Sequence, residues 1–226
     1  MTKDDVRARI EEIGIIPAIR VASPEDAHFA AEAIASAGIP IVELTMTVPG
    51  AIELIPDLLV HQSGVIVGAG TVLDIETARR CLDAGANFLT SPGLDLGVVE
   101  FAIGKGVVVL PGALTPTEVM MASKAGADFV KVFPCSHLGS ARYIKALKGP
   151  FPHVPLIAAG GVNQENAAEF IVAGAIALGI GGALIPHEAI ERRQPHRIHE
   201  LARRFTGIVA SARALSAAAT PGWASH

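Results

Sequence analysis

The chain has 226 residues, half of them hydrophobic and 18% charged, with a formal net charge of −4. That balance supplies a large core and gives no electrostatic footprint for nucleic acid. No apolar run reaches the roughly 18–20 residues of a membrane-spanning helix, and the mixed-charge start MTKDDVRARIEEIG is not a secretory signal, so a cytoplasmic protein is expected.

In chain order, Lys3 to Ile13 reads as an amphipathic helix covering the floor of a barrel, and Ile15–Arg20 as the first strand. One unit then repeats: a helix pattern, a glycine joint and a short β-rich run. The joints are Gly38, Gly64, Gly85, Gly104-Lys-Gly106, Gly126, Gly149 and Gly174. Glycine suits the left-handed position that ends a helix. The runs after them are Ile39–Met46, Val65–Gly68, Asn87–Thr90, Val107–Leu110, Asp128–Phe133, Pro155–Ala158 and Ile176–Ile180. Helix starts are marked by Ser23-Pro24, Asp74, Thr115-Pro116 and Asn163, each a capping residue with an acid or proline in the next turn. A last helix is expected from Pro195 to about Ala214, with 216–226 as a frayed tail. Eight continuous apolar strands alternating with helices predict a single-domain (β/α)8 barrel with an N-terminal helix and a C-terminal helical extension, its core about 14–190.

In such a barrel the site lies at the C-terminal ends of the strands. Asp128-Phe-Val-Lys-Val-Phe-Pro134 is a strand with a lysine in its middle, and lysine is rarely buried without a reason. A dry site disfavours the ammonium, and the neutral amine can attack a ketone to form a Schiff base. Side chains alternate along a strand, so Ile41, Glu43 and Thr45 share one face, as do Phe129, Lys131 and Phe133. Glu43 and Lys131 can both point inward, as a catalytic acid–amine pair or as a buried structural ion pair. Gly160-Gly161 and Gly181-Gly182 follow the last two strands, where backbone N–H groups cradle phosphate in this architecture, or where glycines simply serve tight turns. Thr71 could bind a carboxylate or cap a helix. Arg20 could meet an anion or sit at the rim in solvent. Pro92 would shape a wall, and Phe133 would pack. The cysteines, Cys81 and Cys135, fit no metal or redox spacing, and His187, His196 and His199 read as a solvated face, so no metal or cofactor is expected.

At these residues the chain resembles the KDPG (2-keto-3-deoxy-6-phosphogluconate) / 4-hydroxy-2-oxoglutarate aldolase family, from about Gly14 to Ile190. The motifs that carry the resemblance are Val42-Glu-Leu-Thr45, Val67-Gly-Ala-Gly-Thr-Val72, Ser91-Pro-Gly93, Leu110-Pro-Gly112, Val130-Lys-Val-Phe-Pro134 and Gly160-Gly-Val162. The resemblance implies a metal-independent class I aldolase, usually a homotrimer, of Entner–Doudoroff-type carbohydrate metabolism. It implies Lys131 as the Schiff-base lysine, Glu43 as the general acid/base and Thr71 as a carboxylate contact. It also implies Pro92 and Phe133 as pocket walls, with phosphate at Gly160, Gly161, Gly181 and Gly182. Many members carry an arginine where this chain has Thr47, a threonine where it has Ala159 and a serine where it has Ala183. The related 2-keto-3-deoxy-6-phosphogalactonate aldolases lack that arginine, have a stretch like Ile144–Lys148, and carry an arginine matching Arg20. The implied reaction is cleavage of a 2-keto-3-deoxy-6-phospho sugar acid to pyruvate and glyceraldehyde 3-phosphate. Cleavage of 4-hydroxy-2-oxoglutarate to pyruvate and glyoxylate is a further expectation. From the residues alone, a phosphosugar isomerase or epimerase using Glu43 as base, or a non-catalytic phosphometabolite binder, stays open.

Overall fold

The computed structural model describes residues 1–62 and 64–218. Its strands are β1 (Ile15–Ile19), β2 (Ile41–Thr45), β3 (Ile66–Gly70), β4 (Phe88–Thr90), β5 (Val108–Leu110), β6 (Gly112–Ala113), β7 (Val130–Val132), β8 (Leu156–Ala159) and β9 (Ala175–Ile180). The helices are α1 (Lys3–Ile13), α2 (Pro24–Ser36), α3 (Ala51–His61), α4 (Ile75–Asp83), α5 (Leu96–Gly104), α6 (Pro116–Lys124), α7 (Ser140–Lys148), α8 (Ala167–Val172), α9 (His187–Glu191) and α10 (Pro195–Ala218).

All strand pairs are parallel, in the order β5-β4-β3-β2-β1-β9-β8-β7-β6. The two ends of that sheet, β5 and β6, are one strand interrupted by Pro111. Proline has no N–H to give a ladder. Below it the strand pairs with β4, and above it with β7. The sheet therefore closes into a (β/α)8 barrel through a broken fifth strand. The apolar run in the sequence ends that strand at Leu110 and gives no sign of its second half. The Asp128 carboxylate helps hold the seam, accepting from the N–H of Val109 at 3.0 Å while its other oxygen meets Lys3 Nζ at 3.0 Å. That ion pair also ties α1 to the start of β7.

The barrel interior is layered by parity. Ile16, Ile41, Ile66, Phe88, Val108, Phe129, Ile157 and Ala177 fill its lower half, and Val6 and Ile10 of α1 seal it from below. Outside, α10 packs on α2 and α8, so the C-terminal extension completes the helix ring.

The left-handed glycines end helices as expected at Gly38, Gly85, Gly106, Gly126 and Gly174, and Gly149 caps the end of α7 with a right-handed backbone at φ −58° instead. Ser23, Asp74 and Thr115 cap α2, α4 and α6. Asn163 does not start α8: its side-chain oxygen closes a turn on the N–H groups of Glu165 and Asn166, and the helix begins at Ala167. The last helix outruns its expected end at Ala214. Residues 216–218, assigned to a frayed tail, are helical, and the rest of that tail, 219–226, lies outside the described residues.

Candidate active site

Glu43 on β2 and Lys131 on β7 face each other across the barrel. Three strand positions separate β2 from β7 in either direction round the sheet. Both side chains belong to the inward face, one layer above the apolar fill, and they meet near the axis. Lys131 Nζ lies 3.4 and 3.5 Å from the two Glu43 carboxylate oxygens, and only 12% of the lysine side chain and 5% of the glutamate side chain are exposed. The amine also stands 5.7 Å from the centre of the Phe133 ring, a favourable place for a cation. Removing two charges from water costs several kcal/mol each, and a pair at this spacing recovers about as much, so the arrangement is weak as a stabilising device. It is well arranged for proton exchange. Moving one proton from amine to carboxylate leaves a neutral pair with no buried charge.

The space around the pair is made by glycine. A Cβ on Gly70 would stand 2.3 Å from Glu43 Oε1, and one on Gly68 would stand 2.1 Å from the Phe88 ring. Both lie on the inward face of β3, so their parity with Ile66 was the signal that could have identified them. Farther round, Ala159 of β8 and Gly179 of β9 keep the wall thin.

The result is an open cavity of about 570 Å³ at the C-terminal ends of the strands, lined by Arg20, Glu43, Lys131, Phe133, Gly160, Gly161, Gly181 and Gly182, together with Ala18, Ala159, Val162, Asn163, Gly179 and Ala183. Eight of the expected site residues are thus brought together. Thr47, Thr71 and Pro92 sit on the same rim but outside the lining of this cavity. Thr47 is exposed and donates to Thr45 Oγ1 at 2.8 Å, while Thr45 donates to the carbonyl of Ile19 at 2.9 Å. Thr71 holds a left-handed backbone at φ 60°, a conformation that costs about 1 kcal/mol or more for a residue with a Cβ. Pro92 presses its backbone on Gly112, where a Cβ would lie 2.2 Å from the Pro92 carbonyl.

The glycine loop after β8 is built for an anion. Gly160 and Gly161 are both left-handed, at φ 84° and 82°. The Gly160 carbonyl is taken by the N–H of Ser136 at 3.1 Å, and the Gly161 carbonyl by Asn166 Nδ2 at 2.9 Å. With both carbonyls held by protein groups, the N–H groups of Gly160, Gly161, Gly181 and Gly182 donate to none of the described residues. A Cβ on Gly161 would stand 1.9 Å from Ser136 Oγ on a left-handed backbone, so any other residue would be strained and would displace Ser136. Arg20, at the adjoining end of β1, makes no ion pair or hydrogen bond among the described residues. Cys135 is buried just beyond Lys131, and burial pushes its thiol up to about 12, far from a thiolate nucleophile.

A parallel barrel with an inward amine, an inward carboxylate and a free-N–H loop at its C-terminal mouth defines a TIM-barrel enzyme acting on a small anionic substrate. The chain belongs to the KDPG and KHG aldolase family, whose sequence profile matches residues 6–201, and it is a carbon–carbon lyase of the class I type. It is similar to a 2-dehydro-3-deoxy-phosphogluconate aldolase of Treponema pallidum, 32% identical over 200 residues that cover 88% of this chain and 95% of the relative. A 2-dehydro-3-deoxy-6-phosphogalactonate aldolase of Escherichia coli is 34% identical over 175 residues, covering 76% and 85%. Among solved structures, a KDPG aldolase from Legionella pneumophila with pyruvate captured as a covalent carbinolamine superposes with a TM-score of 0.81 at 30% identity, covering 87% and 95%.

Proposed function

We propose that the chain cleaves a 2-keto-3-deoxy-6-phospho sugar acid to pyruvate and glyceraldehyde 3-phosphate through a Schiff base on Lys131. The observation that carries this reading is the buried Lys131–Glu43 pair at 3.4 Å, facing a cavity whose far side offers free glycine N–H groups. The neutral Lys131 amine attacks the C2 ketone. Glu43, directly or through a water, hands over the proton that lets hydroxide leave as water, and the iminium forms. Glu43 then takes the C4 hydroxyl proton. The C3–C4 bond breaks, its electrons move into the iminium to give an enamine, and the aldehyde departs. Glu43 returns a proton to C3, and the water released at the start is consumed in hydrolysis to pyruvate. The imine is the electron sink, so the reading calls for no metal or cofactor.

In this reading Arg20, Thr47 and Thr71 serve the carboxylate end or the rim, Pro92 shapes the rim against Gly112, Phe133 walls the pocket, and Gly160, Gly161, Gly181 and Gly182 hold the phosphate. Thr47 brings no positive charge to the rim, and Arg20, just past the end of the neighbouring β1, is an uncommitted cation of the cavity lining. That favours a galactonate-type substrate as the second reading, in keeping with the 34% identity to the galactonate aldolase. A coupled assay of pyruvate release from the two C4 epimers, and from 4-hydroxy-2-oxoglutarate, separates these substrates. A turnover of phosphosugar by Lys131→Met equal to wild type would instead support an isomerase or epimerase working through Glu43 alone.

We also infer a homotrimer working in the cytoplasm. Leu73, Ile75 and Leu96 are exposed apolar side chains on neighbouring loops and helix starts, with Ile75 Cδ1 near Gly97, and such a patch favours association. Native mass measurement should give three chains, and a monomer would remove the claim. Among the described residues no helix is long and apolar enough to cross a membrane.

A further inference from the structure

We propose that Asn163 is a substrate-binding residue, its carboxamide nitrogen donating a hydrogen bond to the terminal phosphate of the substrate. The inference rests on the aldolase reading and assigns the side-chain chemistry at the distal end of that site. The lining of the cavity offers three side-chain donors: Lys131, Arg20 and Asn163. Lys131 is committed to Glu43. Ala159 and Ala183, which flank the two glycine pairs, have no hydroxyl to offer. Asn163 is therefore the neutral side-chain donor of this cavity, two residues beyond Gly161.

Its two halves are used differently. Oδ1 accepts from the N–H of Glu165 at 2.9 Å and of Asn166 at 3.1 Å, and the Asn163 N–H donates to Asn166 Oδ1 at 2.8 Å. Two N–H groups on one oxygen fix which end of the carboxamide is which. Nδ2, on the other side of the same planar group, has no partner among the described residues. A turn needs only the acceptor, and aspartate or serine would close it as well. Asparagine adds an N–H donor to a cavity lining that also holds free glycine N–H groups and one uncommitted arginine. Phosphate, an acceptor with three terminal oxygens, matches that set of donors.

Asn163→Asp tests this while keeping the turn, since its carboxylate still accepts from Glu165 and Asn166. The readout is the ratio of kcat/KM for the phosphorylated substrate to that for its unphosphorylated analogue, 2-keto-3-deoxygluconate. The expected result is a fall of about 10–100-fold for the phosphorylated substrate, mostly in KM, with the analogue changed less than about threefold. Borohydride trapping of pyruvate on Lys131 should match wild type. Asn163→Ala, which removes the donor without adding a charge, should lower the same ratio in the same direction, and a fall confined to Asn163→Asp is repulsion by its carboxylate and overturns the proposal. A ratio equal to wild type, whether both substrates fall together or neither moves, leaves Asn163 as a turn residue and overturns the proposal. A wild-type chain that traps no pyruvate overturns the aldolase reading itself, and this inference with it.

Discussion

The lower and upper halves of the barrel interior use the same strands and the same parity for opposite ends. Below, the inward positions are apolar and most carry bulk, Ile16, Ile41, Ile66, Phe88, Val108, Phe129 and Ile157 with the smaller Ala177, closed by Val6 and Ile10. One step of two residues higher, the corresponding positions are Ala18, Glu43, Gly68, Thr90, Lys131 and Ala159. The lower layer excludes water and holds the strands apart at fixed spacing. The upper layer leaves room, and its two long side chains reach across that room to each other. A packed base beneath an open mouth is what lets a lysine and a glutamate be dry and yet reachable by substrate. The site is made as much by what the upper layer omits as by what it contains.

That contrast is broken most severely by Lys131→Met. The nucleophile is lost, and kcat for aldol cleavage should fall by about 10⁴-fold or more in steady-state assays. The same change leaves Glu43 buried without its partner, so chemical denaturation should show a loss of about 3–5 kcal/mol. Adding Glu43→Gln to it should restore much of that stability and none of the activity, which separates the chemical role from the structural one. Glu43→Gln alone should cut kcat by about 10²–10⁴-fold, with pyruvate adduct formation slowed but still directed to Lys131. In the lower half the prediction reverses. Phe88→Ala should cost about 3–5 kcal/mol of stability through the cavity it leaves. Activity per folded molecule should stay near wild type.

Gly70→Ala sharpens the boundary between the halves. Its new Cβ, 2.3 Å from Glu43 Oε1, must push the carboxylate off Lys131. The expected result is about a 10²-fold loss of kcat with a modest stability loss of about 1–3 kcal/mol. The smallest effect concerns the thiols behind these layers. Burial pushes Cys81 up to about 11 and Cys135 up to about 12, against an ordinary thiol value of 9.0. Both should resist a disulfide reagent at about pH 8 in the folded protein and react on unfolding. Because the folded values lie above the unfolded one, the thiols hold their stability contribution below about pH 9. They lose it as pH climbs toward 11–12.

Much of this was legible in the sequence because the strands are short, apolar and regularly spaced. Period-two alternation put Glu43 and Lys131 on the inner face, and left-handed glycines marked the helix ends. Other features arise from competition that a linear pattern hides. Pro111 looked like a stop, but β6 resumes after it because β7 offers a new ladder. Asn163 looked like a helix cap, but a tight turn claimed its oxygen first. The alanine-rich run after Ala214 looked like a frayed end, yet alanine is the strongest helix former and carries α10 through Ala218. The roles of Gly68 and Gly70 were hidden because a glycine's space is defined by the side chain that enters it, from β4 in one case and β2 in the other. Thr47, Thr71 and Pro92 follow the C-terminal ends of their strands, as the strand order implies, but whether they reach the cavity depends on loop paths that no spacing encodes.

The most direct test of the central claim is intact mass after incubation with pyruvate and borohydride, with peptide mapping of wild type and Lys131→Met. One pyruvyl adduct on the Lys131 peptide of wild type, absent from the folded variant, is the result expected of an upper layer built to present an amine to a ketone. A folded wild-type chain that carries no adduct, or an adduct that persists in Lys131→Met, would contradict the account.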